Sequence, residues 1–288
     1  MRRALLIRLL LFWFTLPILS AQSWHPIAAA EASNGILFLL TSEKSVLAVN
    51  LTKSSGSIVG RFSFQILGNP VDMALGTFNS QPALFIASNY AVGSTFEGQV
   101  TAFTTDGQSL TFWTFRLPIN GITFDATGST IYFTSGNEVY ALSPVLKSQA
   151  SFVGTISGAQ NFGPLTIAAG IHTLYIADAQ GDIFHMDLTA KSHPSGVLGH
   201  TQLPQALLVS SPASTVYVAD GGASQVVTFP TVSTKPASPH SFTPRGSFPN
   251  PCGLAWLDPA HLIVADQRNG SVTVLDAAGH SVYSMVLH

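Results

Sequence analysis

Three aspartates stand at the same place in three similar stretches: Asp178 ends "LYIAD", Asp220 ends "VYVAD" and Asp266 ends "LIVAD". Carboxylates in equivalent positions raise the idea of a metal site or a catalytic ring. Upstream, however, the same place is held by Thr41 in "LFLLT", Ser88 in "LFIAS" and Ser135 in "IYFTS". All six side chains carry a short oxygen that accepts bonds from backbone N–H groups one or two residues on, which fixes a tight turn. The turn role accounts for six positions and a metal ring for three, so the aspartates read as turn residues.

A second polar set lies within three positions of a proline: His25, Asn69, Asn120, Asn161, Gln205 and Asn250, beside Pro26, Pro70, Pro118, Pro164, Pro204 and Pro251. Asn and His next to proline shape turns. Brought together, they also form a polar rim able to bind a small ligand, or a hard cation such as calcium through oxygen ligands. Asp72 in "NPVDMA" belongs beside them. No H-E-x-x-H, G-x-S-x-G, P-loop or G-x-G-x-x-G motif is present, and the nine histidines share no phase, so a histidine-zinc site has no support. The single cysteine, Cys252, rules out an intramolecular disulfide and a cysteine-based zinc site; it is expected as a small buried apolar residue.

The elements that must position these residues recur along the chain. Six apolar runs begin at Leu37, Leu84, Ile131, Leu174, Val216 and Leu262, at spacings of 42 to 47 residues. A polar turn follows each, then a second run anchored by Val46, Val100, Val139, Ile183, Val226 or Val272; the proline precedes each by ten to fourteen residues. Short runs of Val, Ile, Phe, Tyr and Thr divided by Gly, Ser, Asn and Asp are strand and turn chemistry without a helical period. "SIVGRFSF" from Ser57, "SLTFWTF" from Ser109 and "SVYSMVL" from Ser281 add a late strand to units one, two and six. Four strands in about 45 residues make one propeller blade.

The expected fold is therefore all-β: a six-bladed β-propeller of four-stranded antiparallel blades following an N-terminal signal peptide. The blades fall at about 24–67, 68–115, 116–158, 159–201, 202–247 and 248–288. Closing the ring disposes of the exposed edges of an open sheet. It also keeps equivalent positions apart, which argues again against a shared site for Asp178, Asp220 and Asp266. The chain starts with the first strand of blade one and ends with the last of blade six, so closure is expected between two continuous blades.

The order of proline, small residue, apolar pair, "lYVAD" and a further strand resembles the NHL and YVTN repeats, from about His25 to His288. That resemblance implies a six-bladed propeller of the kind that includes the calcium-dependent gluconolactonases. Those enzymes resemble one another in a Glu-Gly-Pro at the first blade and in Asn and Asp ligands from later blades. Here His25 precedes the first proline, no acidic residue precedes any of the six, and Glu31 is a poor substitute. Asn161 in "NFGP" and Asp72 are the positions closest to the ligand pattern.

Residues 1–21 are built differently from the rest. Arg2, Arg3 and Arg8 precede the apolar run Leu9 to Leu19, and Ser20 and Ala21 follow, the order of a secretory signal peptide. The run is shorter than the roughly 20 residues of a spanning helix, and Pro17 interrupts it. Cleavage is expected after Ala21 or Ser23, giving a secreted or periplasmic protein with no stable membrane insertion. The remaining chain holds nine Lys and Arg against fourteen Asp and Glu, a formal charge of −5, which does not suit nucleic acid or an anionic surface. Only 9% of residues are charged and 46% are apolar, the balance of a well-buried globular chain.

One unit departs from the pattern. Five units pass from the turn residue to the next strand's Val or Ile in four to six residues, but unit two takes twelve, from Ser88 to Val100. Its insertion "NYAVGSTFEGQ" reads as a loop carrying Tyr90, Phe96 and Glu97 above the rim near Asn69, Asp72 and Asn120. Neutral packing of these aromatics back onto the blade is the bland alternative. The functional expectation is a monomeric, non-catalytic propeller, without a required cofactor, that binds a protein, surface glycan or small ligand on its channel-mouth face. The alternative is a metal-dependent, gluconolactonase-like hydrolase or lyase acting in the channel.

Overall fold

The computed structural model describes residues 24, 26–31, 35–125, 127–145, 149–159, 164–193, 195–210, 214–231 and 236–288. The expected signal peptide, His25 and Asn161 lie outside them. The described residues form six four-stranded antiparallel sheets, each built from strands consecutive in sequence. The innermost strands are Pro26–Glu31, Asn69–Phe78, Gly121–Phe124, Pro164–Ala169, Pro204–Val209 and Pro251–Asp258, and each touches the next around the ring. The protein is a six-bladed β-propeller.

Sequence pattern and depth in the blade agree. Second strands such as Thr173–Asp178 and His261–Asp266 are covered on both faces and read as unbroken apolar runs. Outer strands meet solvent on one side and alternate, as along Gly56–Ser63. The outer strands of blades three, four and five, at Ser151–Thr155, Ser195–His200 and His240–Ser241, are short or Gly-containing and carry little apolar signal. Between blades lie six apolar clusters, one per junction, so each blade buries both faces against its neighbours.

Proline marks the start of the inner strand, and in five blades a β-bulge follows it directly. The register shifts between Pro26 and Ala28, Pro70 and Asp72, Pro164 and Thr166, Pro204 and Ala206, and Pro251 and Gly253. A bulge re-aims the strand and ends regular pairing, and proline tolerates the place because it has no ladder donor to lose. In blade three Pro118 instead precedes the strand by three residues.

The ring closes between two complete blades, as expected. Among the described residues, no sheet contains strands from both ends of the propeller. One backbone bond, Trp24 N to Leu287 O at 3.3 Å, spans the junction, and Leu287 N bonds to Gly270 O at 2.8 Å. Trp24 and Leu287 sit in one apolar cluster with Leu39, Leu47, Ile263 and Val272. Arg61 stacks over the Trp24 ring, 4.1 Å from its centroid. Closure therefore rests on packing, and the last apolar side chain should matter far more than its neighbour. Leu287 is 0% exposed and Val286 is 49% exposed. In urea denaturation, Leu287→Ala should lower stability by about 2–4 kcal/mol, while Val286→Ala should stay within about 0.5 kcal/mol of the wild type.

Candidate functional site

The turn aspartates bond to backbone at the mouth where the inner strands begin. Asp220 Oδ1 accepts from the N–H of Gly222, Ala223 and Leu203 at 3.0–3.2 Å, and Oδ2 from Gln202 at 3.2 Å. Asp266 accepts from Asn269 at 2.8 Å and from Asn250 at 3.0 Å. Asp178 accepts from Gln180 at 2.9 Å and Asp182 at 3.0 Å. Each carboxylate thus shapes its own turn, and in blades five and six it also fastens the segment leading into the inner strand. Thr41 instead donates to Ser45 O at 3.2 Å, and the buried Ser88 Oγ has no hydrogen-bond partner among the described residues, so the accepting role expected of all six is not met in blades one and two.

Of the rim residues, Asn69 is exposed, and Asn120, Gln205 and Asn250 are half-buried at the same mouth. Asn250 is engaged locally: its side-chain amide donates to Gln267 Oε1 at 2.8 Å. Among the described residues, no three His, Cys, Asp or Glu side chains converge in reach of one metal ion.

Below the rim, the inner strands of all six blades bound a cavity of about 310 Å³. Its lining is mainly Ala, Ile, Leu and Val, with Thr123 and Gln205 as neutral polar members. Two carboxyls also line it, Asp125 and Asp72, and Asp72 sits one level below Asn69. Its Oδ1 accepts from its neighbour Met73 N at 2.8 Å, and Oδ2 crosses to blade three to accept from Ile122 N at 2.9 Å. Burial pushes the Asp72 carboxyl up from 3.8 to about 7, against the lowering effect of these two amide bonds. Asp125, at the other end of the cavity, is held below its ordinary value by bonds from Ser129, Thr130 and Thr127, which outweigh its own partial burial. Cys252 is buried as expected, and burial drives its thiol up to about 12, leaving it unreactive.

The blade-two insertion differs from expectation in form. It is a hairpin: the second and third strands, Gln81–Val92 and Thr95–Thr104, remain paired out to Val92 and Thr95, and Gly93 turns with φ 60°. Alternating residues that can extend a ladder do so when nothing stops them. Tyr90 and Glu97 are cross-strand partners, and the phenol donates to Glu97 Oε2 at 2.8 Å. Phe96, 60% exposed, and Val92, 44% exposed, point their apolar surface to solvent near the tip.

The base of the hairpin is braced by a residue the sequence reading passed over. Asn89 pairs with Asn69 in the ladder, donates to Ile119 O at 2.7 Å and accepts from Ile119 N at 2.8 Å. Gly68 is required beside it, since at φ 68° a Cβ there would lie 1.8 Å from Asn89 O. The hairpin is therefore anchored next to Asn69 and to Asn120, the residue after Ile119. Only the doubled amide chemistry of Asn in an "xN" after the turn residue hinted at this.

The fold is shared with solved structures of low sequence identity. A chain of a nidogen/laminin complex superposes with a TM-score of 0.67 at 15% identity, over 88% of this chain and 93% of that one. A structural-genomics protein of unknown function from Bacteroides thetaiotaomicron superposes at 0.62 and 10% identity, over 88% of this chain and 69% of that one. No family model matches the chain. No curated protein matches it either.

The Asp72 carboxyl makes stability depend on pH in a defined direction. Because its folded value is raised, the folded chain keeps a proton that the unfolded chain releases between about pH 4 and pH 7. Its contribution to stability is greatest below pH 4, falls through that window and is flat above it. Asp72→Asn keeps one acceptor for the two backbone amides that Asp72 serves, so near pH 4 it should be less stable than the wild type, by about 1–3 kcal/mol in urea denaturation. That deficit should shrink as the pH rises to 8, because only the wild type loses stability through the window.

Proposed function

We propose that this chain is an exported, non-catalytic propeller that holds a protein partner on its channel-mouth face and grips it with the blade-two hairpin. The observation that carries the reading is the braced, protruding hairpin with Phe96 and Val92 exposed near its tip. Water-exposed aromatic and aliphatic surface on a rigid projection suits an anchor that a partner buries. The base is held by Asn89 and the stem by the Tyr90–Glu97 bond, so little ordering is lost on binding. Export rests on the charge and hydropathy order of residues 1–21. The fold likeness to a chain of a nidogen/laminin complex is in keeping with recognition of a protein.

Capture tests this reading. Immobilised wild type and the double variant Val92→Ser, Phe96→Ser are exposed to the cell-surface and secreted proteins of the source organism, and the retained proteins are quantified. The variant should lose at least about tenfold of one or a few proteins retained by the wild type, with its melting temperature unchanged, because both side chains are exposed. Identical retained sets would contradict the proposal.

A further inference from the structure

Asp72 breaks the sixfold pattern of the channel at one level. The residue paired with the position just before each turn residue is Ala28 in blade one, Asp72 in two, Gly121 in three, Thr166 in four, Ala206 in five and Gly253 in six. Five blades place a small residue there and one places a carboxyl. Ala28, Ala206 and Gly253 border the same cavity as Asp72, whose carboxyl turns toward blade three to meet the Ile122 amide. Where blades six and one meet, a Cβ on Gly253 would come within 2.8 Å of Ala29 Cβ, so the small residue there keeps the strands close.

Among the described residues, no Lys, Arg or His lines the cavity. The other ionisable groups on or beside the inner strands are Cys252, Asp125 just after Gly121–Phe124, and Glu31 and Asp258 at the far ends of the blade-one and blade-six strands. At the mouth, Asp178, Asp220 and Asp266 add negative charge, while Lys44, Arg245 and Arg268 lie on surrounding turns outside the lining. A partly buried carboxylate with no cationic side chain beside it is unfavourable until a cation joins it. The inner-strand backbone makes most of the exposed wall polar, while the side chains are mostly Ala, Leu, Ile and Val, so the lining suits a cation that has N–H groups for carbonyl oxygens and a short apolar part.

We propose that the channel is a binding site for a small organic ammonium ion, with Asp72 as its counter-ion and the small residues at the same level making the space for it. The two amides on Asp72 leave its remaining lone pairs free to accept from an ammonium group. The site is independent of the hairpin, and its ligand differs in kind from the protein partner proposed above. Because Asp72 is ionised only above about pH 7, affinity should rise with pH while the amine stays protonated.

Isothermal titration with n-butylammonium chloride, against 1-butanol as the uncharged match, tests the site. At pH 8 the wild type should bind butylammonium saturably, with a dissociation constant of about 1 mM or tighter, and butanol at least tenfold more weakly. Asp72→Asn, with folding checked by its melting curve, should weaken butylammonium at least tenfold, as should lowering the wild type to pH 5.5. Ala206→Leu keeps the carboxyl but fills space at its level, and should also abolish binding, which covers the case in which Asp72→Asn fails to fold. Absence of saturable binding by the wild type, equal binding of butanol, or full binding by either folded variant would overturn the proposal.

Discussion

A propeller stands its innermost strands around an axis, and each of them has a row of backbone N–H and C=O groups that no further strand can pair. Much of the observed mouth and channel answers that constraint. In five blades the bulge after the proline ends regular pairing where the strand enters the ring. In blades five and six the turn aspartate reaches back to the amides that lead into the inner strand. Asp72 performs the service between blades, taking the Ile122 amide on the neighbouring inner strand. Polar side chains near the axis are in the first place solutions to a backbone problem, which is why recurrence of an Asp was poor evidence of chemistry.

What breaks the repeat is more informative than what repeats. A six-blade scaffold packed through six equivalent apolar junctions has no need of a twelve-residue reach in one turn, or of a carboxyl where five blades have Ala, Gly or Thr. Both departures fall in blade two and open on one mouth, and Asn69 lies between them in sequence and in the ladder. Function on superfolds of this kind is carried by sites grafted on a frame. Here the frame is rigid near both features: Asn89 and Gly68 lock the hairpin base, and two amides hold the Asp72 carboxyl.

The architecture was legible because its markers are local and periodic. Proline, a doubly buried strand and a turn residue recur in phase, and the pairing Pro204 with Asp220 or Pro251 with Asp266 is the spatial form of that phase. Outer strands such as His240–Ser241 were not legible, since a solvated edge of two residues needs no apolar pattern. The reach from Ser88 to Val100 suggests a loop because it exceeds the four to six residues of the other turns, whereas the cross-strand Tyr90–Glu97 bond extends the ladder through it. Asp72 was picked out for its neighbourhood to Pro70. Its position beneath the rim, its bond to Ile122 and the small residues facing it depend on bulge register and on the ring, neither of which a single run of sequence displays.

The central claim is that the Asp72 carboxyl stands in the channel with no cationic side chain among the described lining residues. Selective 13C labelling of aspartate and an NMR titration of the side-chain carboxyl carbons, with Asp72→Asn to assign the resonance, measures this directly. The account predicts that Asp72 titrates near pH 7, apart from the turn aspartates. A midpoint near 4, the ordinary aspartate value, would show a well-solvated or compensated carboxyl and contradict it.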